Sequence, residues 1–255
     1  MIKISIIIPC YNEENRLPST LNKIEMWLQG QTIFDVELIL SNDGSKDNTL
    51  KIMNLAKIKF ENNNLCKVAV YDFKHRGYIE TLFDSYKKSS FSVVCNMEAD
   101  CSIHPKYFED FSKYLNEFDM IQGSRILKSP NFKSDNKNLI RSFISNFFSF
   151  LFRSIFNCQI YDPQCGFKMI NKKKLIECLN EIKLKHDGMK ISELTLKFFK
   201  KGYKIKEIPV ENYHDEDSRL VPKFSILKPM PFLNVIFSNF LALIDLYRLF
   251  KQKDF

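Results

Sequence analysis

The stretch 4–14, ISIIIPCYNEE, decides how the chain is read. Ile4 to Pro9 is a short, continuous, β-branched run, the pattern of a strand buried on both faces. It ends abruptly in the polar cluster Tyr11-Asn12-Glu13-Glu14, and a helical pattern follows over about 17–28. The same alternation repeats outward. Strands are expected at Val36 to Leu40, Lys67 to Tyr71, Ser92 to Asn96 and from Met120. Helices are expected over about 48–60, 77–88 and after Pro105, a residue tolerated in a first helical turn. This β-α order predicts an α/β fold, a mostly parallel sheet with helices on both faces. In such sheets ligands bind beyond the carboxyl ends of the strands. The polar clusters Tyr11 to Glu14, Asn42-Asp43-Gly44-Ser45 and Glu98-Ala99-Asp100 all follow strands, so they are expected to converge on one edge.

The chain has 255 residues, 45% of them hydrophobic and 27% charged, which suits one sizeable core and excludes a disordered polyelectrolyte. Its net charge of +8 fits phosphorylated small molecules or anionic lipid. Nucleic acid is not expected, since neither a zinc-finger pattern nor an RNA-binding aromatic signature is present. Seven scattered cysteines with no CxxC pair read as reduced, buried thiols. The four histidines form no ligand spacing. The opening strand is too short for the apolar core of a signal peptide.

The second half differs. Residues 138–157, NLIRSFISNFFSFLFRSIFN, place polar groups every three or four positions on an otherwise Phe-, Leu- and Ile-rich helix. Further on, 184–201 reads as a helix and 204–210 as a strand. The stretch 231–250 approaches the length of a bilayer span, but Asn234, Ser238, Asp245 and Arg248 form a polar stripe along it. An interfacial helix flanked by Lys223, Lys228, Lys251 and Lys253 is expected, with a packed core helix as the alternative. The expected organisation is a catalytic-size domain over 1–222 and a membrane-associated tail over 223–255.

Three clusters carry chemistry. Glu98 and Asp100, two residues apart at a strand end, can place carboxylate oxygens around one hard divalent cation, Mg2+ or Mn2+, that also binds substrate phosphates. In isolation such a pair is also a common strand-end cap. Asp43 can accept from a nucleobase N–H or a ribose hydroxyl, or stabilise its own turn. The segment 162–168, DPQCGFK, reads as a polar turn in which Gly166 permits a close backbone approach.

Taken together, these segments resemble glycosyltransferase family two, with the GT-A fold, and within it the dolichyl-phosphate mannose and glucose synthases and bacterial polyprenyl-phosphate relatives. The resemblance rests on SIIIPCYNEENRL at 5–17, SNDGSKDNT at 41–49, MEADCSIHP at 97–105, GSR at 123–125, YDPQCGFKMI at 161–170 and GYKIKEIPV at 202–210, with Ser218-Arg219 following. It implies an inverting transfer of a sugar from a UDP- or GDP-sugar to a polyprenyl phosphate at the cytoplasmic face of a membrane. A soluble or growing glycan as acceptor, or a non-catalytic nucleotide-binding membrane protein, are the other readings, and a homo-oligomer is compatible with each. By the same resemblance Pro9, Tyr11 and Glu13 line the nucleotide pocket, and Asp43 holds the base with Ser45 nearby. Asp100 ligates the metal, helped by Glu98. Arg125 and Arg141 face the acceptor phosphate, and Gln164 and Gly166 border the donor sugar. Glu193 lies beside sugar and acceptor, and Arg219 lies near the diphosphate. If the acceptor is a sugar hydroxyl, Glu193 or Asp187 becomes the general base. The chain departs from the family pattern in having Glu98 where Asp is usual and Ser102 where Gln is common. It also has Lys74-His75-Arg76-Gly77-Tyr78 in place of a Gly-Lys-Gly segment.

Overall fold

The structure, a computed structural model, describes residues 1–128, 139–213 and 230–252, apart from the side chains of 139–141, 187, 230–233, 235 and 236. The chain order is β1 (Ile2–Cys10), α1 (Leu17–Gly30), β2 (Phe34–Asn42), α2 (Thr49–Asn62), β3 (Lys67–Asp72), α3 (Tyr78–Lys88), β4 (Val93–Asn96) and α4 (Tyr107–Ser112). It continues with β5 (Met120–Ser124), α5 (Leu139–Phe156), β6 (Lys168–Asn171), α6 (Lys172–Leu179), α7 (Asp187–Lys200), β7 (Ile205–Pro209) and α8 (Met230–Phe250). The seven strands form one sheet in the order β3-β2-β1-β4-β6-β5-β7. β6 runs antiparallel to both neighbours, and the other pairings are parallel.

The continuous apolar run of β1 is explained by burial on both faces. Ile4, Ile6 and Ile8 join one core with Leu21 and Ile24 of α1, Met53 and Phe60 of α2, and Phe108 and Phe111 of α4. Ile7 points the other way, into a core with Leu82 and Tyr86 of α3 and Leu194 and Phe198 of α7. That is the period-two alternation of a strand sandwiched between helices. A third apolar cluster joins Phe152 and Phe156 of α5, Met189 and Leu196 of α7, and Ala242, Leu243 and Leu246 of α8. One side of α8 is therefore core. All seven cysteines are free, and all but Cys66 are buried.

The expected β-α alternation is present. The departure is β6: residues 162–168 read as a polar turn, whereas Lys168 is already a fully buried strand residue. Because β6 is antiparallel to β4, with Lys168 opposite Asn96, it begins where β4 ends. This delivers the 158–167 loop to the edge where the β1, β2 and β4 carboxyl ends lie. The predicted boundary between a 1–222 domain and a tail falls outside the described residues.

Candidate active site

β1 is flanked by β2 and β4, both parallel to it, so the segments after all three leave the sheet at one edge. The β1–α1 and β2–α2 loops are laced together there. Asn12 N–H donates to Ser45 Oγ (3.0 Å), Glu13 N–H to Thr49 Oγ1 (2.7 Å), and Lys46 N–H to Asn12 Oδ1 (2.8 Å). Pro9 is buried, and Glu13 is held in a bidentate ion pair with Arg16. Asp43 is buried at the end of β2, where its N–H reaches Cys10 C=O (2.9 Å). Its carboxylate accepts from Arg76 N–H (2.8 Å), Gly77 N–H (3.0 Å) and the His75 ring (2.9 Å). The neighbouring Gly44 has φ +66°, and a Cβ there would lie 2.7 Å from His75 N, so only glycine fits.

The second half of the site is built on β4. Glu98 Oε2 accepts from Ser102 Oγ (3.1 Å), and Asp100 Oδ1 accepts from Ser102 N–H (2.9 Å). Ser102, the departure from the family's Gln, thus fixes both carboxylates. Burial raises the Glu98 carboxyl above its ordinary range, and the Asp100 charge adds to the rise, while Arg125 opposes it. Arg125 donates from Nε and Nη2 to the two oxygens of Asp162 (2.8 and 2.9 Å), and its N–H adds a third bond (3.0 Å). Burial disfavours the Asp162 carboxylate, yet Arg125 more than compensates and holds it below the usual range. Among the described residues the Arg125 Nη1 edge is uncommitted. Gly166 lies against Glu98, since a Cβ there would meet Glu98 Oε1 at 2.9 Å.

The start of α3 joins the two halves. Gly77 bonds Asp43, and the adjacent Tyr78 hydroxyl accepts from Asn96 Nδ2 (3.3 Å), which also donates to Gly166 C=O (2.6 Å). Burial, then the Glu98 charge, raises the Tyr78 phenol well above its normal value. A contact chain therefore runs from Asp43 through Gly77, Tyr78, Asn96 and Gly166 to Glu98.

The structure brings Pro9, Tyr11, Glu13, Asp43, Ser45, Glu98, Asp100, Arg125 and Gly166 to this edge. Gln164 sits in the same loop as Gly166 and turns toward α7, donating to Gly188 C=O (3.3 Å). Glu193 stands apart. It is fully buried, and both its oxygens accept backbone N–H groups, from Lys183 and Leu184 (2.8 Å each). As placed, it presents no oxygen to the cleft. The Arg141 and Asp187 side chains and Arg219 lie outside the described residues. Sequence reading overlooked Asp162, Tyr78, Asn96, Ser102 as a clasp, and Lys168. Lys168 Nζ bonds Gln122 Oε1 and Thr195 Oγ1, and burial pushes its ammonium down to about 8. Among the described residues no group of three or more His, Cys, Asp or Glu forms a metal cage.

A mostly parallel α/β sheet with a polar, loop-built edge and a carboxylate pair at its carboxyl end is the class of architecture that binds ligands beyond its strand ends. The sequence profile of glycosyl transferase family 2 matches residues 5–179, and the chain belongs to that family. It is therefore a glycosyltransferase. It is 25% identical over 244 residues to the dolichyl-phosphate beta-glucosyltransferase of Homo sapiens, covering 89% of this chain and 72% of that one. It is also 25% identical over 181 residues to the Dictyostelium discoideum protein of the same name, covering 68% and 55%. Among solved structures, it resembles glucosyl-3-phosphoglycerate synthase from Mycobacterium tuberculosis in complex with Mg2+ and UDP. The TM-score is 0.61 at 15% identity, over 95% of this chain and 79% of that one, a likeness of fold.

Proposed function

We propose that this glycosyltransferase moves a sugar from a nucleoside diphosphate sugar to a polyprenyl phosphate at a membrane surface, with a divalent cation between Asp100, Glu98 and the diphosphate. The observation that carries the reading is the contact chain from Asp43 to Glu98, which ties the loops around Asp43 to a carboxylate pair. The similarity to dolichyl-phosphate beta-glucosyltransferases supports the acceptor class.

The donor set fits Mg2+ or Mn2+. Two carboxylates held side by side by Ser102, one of them raised in pKa by burial and by the other's charge, favour a hard cation that still takes phosphate oxygens. When bound, such an ion stabilises the charge on the departing diphosphate. The chain's own residues supply position. Tyr11, Pro9, Glu13, Ser45 and Asp43 receive the nucleoside. The backbone of Gly166 and the Gln164 side chain border the sugar. The uncommitted edge of Arg125 receives the acceptor phosphate, and the family resemblance assigns Arg141 to the same phosphate and Arg219 to the diphosphate. A phosphate acceptor is already anionic, so no general base is required and inversion proceeds by positioned in-line attack. Glu193 then serves by holding the 183–184 turn.

The surface fits a membrane. Phe143 is 73% exposed, Phe150 57% and Phe237 65%, on α5 and α8, which meet through Phe147 and Phe240 (ring centroids 6.3 Å). Toward the other end of α8 a cavity of about 550 Å3 is lined by Lys183, Lys185, Arg248 and Asp245, the last paired with Arg248 (3.2 Å), which leaves its rim net basic. Apolar side chains beside a basic rim suit an anionic lipid surface. Among the described residues no helix is long and apolar enough to cross a membrane, so the association proposed is peripheral. The test supplies UDP-glucose or GDP-mannose, Mn2+ and a polyprenyl phosphate in anionic vesicles. The expected products are a polyprenyl phosphate sugar and the free nucleoside diphosphate. Transfer only to soluble sugars would overturn the acceptor assignment.

A further inference from the structure

Two of the groups proposed to receive the donor's base are already engaged, and by one side chain. The His75 ring lies over Tyr11 with centroids 4.1 Å apart and planes inclined by 19°. Its Nδ1 is 2.9 Å from Asp43 Oδ2. A carboxylate only accepts, so Nδ1 carries the proton of this bond. The imidazole is thus a flat ring with one face on an aromatic and one ring N–H on a buried carboxylate. Uracil and guanine offer the same two features, a π face and a ring N–H. Neutral cytosine and adenine have a bare ring nitrogen at that edge, which would set lone pair against lone pair and reject them.

We propose that His75 occupies the base subsite of the nucleotide-free protein and that its displacement sets nucleotide affinity, while the Asp43 carboxylate it uncovers prefers a base with a ring N–H. The proposal rests on the reading that Tyr11 and Asp43 receive the base. Three observations favour exchange of the side chain alone. The Asp43 side chain is 2% exposed, so no base reaches its Oδ2 past the imidazole, whereas the His75 side chain is 53% exposed and can swing into water. The bonds from Arg76 and Gly77 N–H to Asp43 come from backbone and hold the segment when the ring leaves. The close approach of His75 N to Gly44 fixes the backbone of His75 itself against the turn. Binding then exchanges one ring N–H bond and one stack for another. The apparent affinity is reduced by the fraction of molecules in which the imidazole sits in place.

Calorimetric titration of the full chain with UDP, GDP, CDP and ADP, with Mn2+ present, tests this. His75→Ala removes the competitor, and its affinity for UDP or GDP is expected to rise roughly three- to tenfold. A fall would make His75 part of the platform, and no change would remove it from the base subsite; either overturns the proposal. CDP and ADP are expected to bind weakly to both proteins, and equal binding of all four nucleotides would refute the base preference. Asp43→Ala, which removes the acceptor altogether, separates the two levels: if it leaves UDP binding intact, the underlying base-holding reading fails, whatever His75 does. Nitrogen NMR of the wild-type imidazole gives an arm that needs no variant. The hydrogen-bonded Nδ1–H signal of His75 is expected to vanish at saturating UDP, and its persistence would contradict displacement.

Discussion

The two working surfaces of this molecule are built on opposite principles. At the carboxyl edge of the sheet nearly every polar group is spoken for. Asn12, Asp43 and Asp162 are bound to other loops and Ser102 to the two carboxylates of its own, at 2.8–3.1 Å, while Asn96 donates to Gly166 C=O (2.6 Å) and, among the described residues, keeps its Oδ1 unpartnered. On α5 and α8, large aromatic groups such as Phe143 and Phe237 stand in solvent with nothing polar to hold them. A pre-organised polar site lowers the reorganisation needed for charge development, as expected of catalysis dominated by positioning. An apolar face of this kind is stable only against another apolar phase. On the proposed reading, the chain completes its site internally and leaves the α5–α8 face to be completed by a membrane.

The comparison can be broken at several points. Asp100→Asn should lower turnover about a thousandfold with little change in melting temperature, because the loss falls on transition-state charge. Replacing Phe143, Phe150 and Phe237 together by Ser should weaken partitioning to anionic vesicles by at least about a hundredfold in flotation, since each exposed ring contributes roughly 1–2 kcal/mol on burial. Activity on a short-chain, water-soluble polyprenyl phosphate should be nearly retained. Gly166→Ala should reduce turnover roughly tenfold, because its Cβ would press on Glu98 Oε1 and shift the carboxylate pair.

The smallest effect is in stability. The Lys168 ammonium is held at about 8 in the fold and returns to about 10.4 on unfolding, so the folded state sheds its proton first. Between those values the unfolded state binds more protons, and stability rises with pH. Below about 8 the buried charge is a constant cost. Compared with Lys168→Met, the wild type should therefore gain roughly 1–3 kcal/mol in denaturant titrations from pH 8 to 10.5, and a flat difference would contradict it.

Much of the polar edge was legible in the residues. The β-branched run 4–9 and the polar clusters after it carry their period and their strand-end position openly. What escaped was set by tertiary pairing. β6 is only four residues long and begins with a lysine, so nothing local marks it as buried strand; its partner β4 does. Asp162 read as a turn residue because its counterion, Arg125, is distant in sequence. Glu193 read as a site residue from the family pattern, and the backbone bonds that engage its oxygens come from a turn with no signature. The exposed Phe residues of α5 were visible as an aromatic helix, but the side of α8 that is core required its packing on Phe156 and Met189.

The proposed chemistry requires Asp100 and Glu98 to share a cation with a nucleoside diphosphate. Titrating UDP into wild type and Asp100→Asn, each with and without Mn2+, measures this directly. Mn2+ should tighten UDP binding to the wild type by at least about tenfold and leave the variant unchanged. Equal binding in all four titrations would contradict the account.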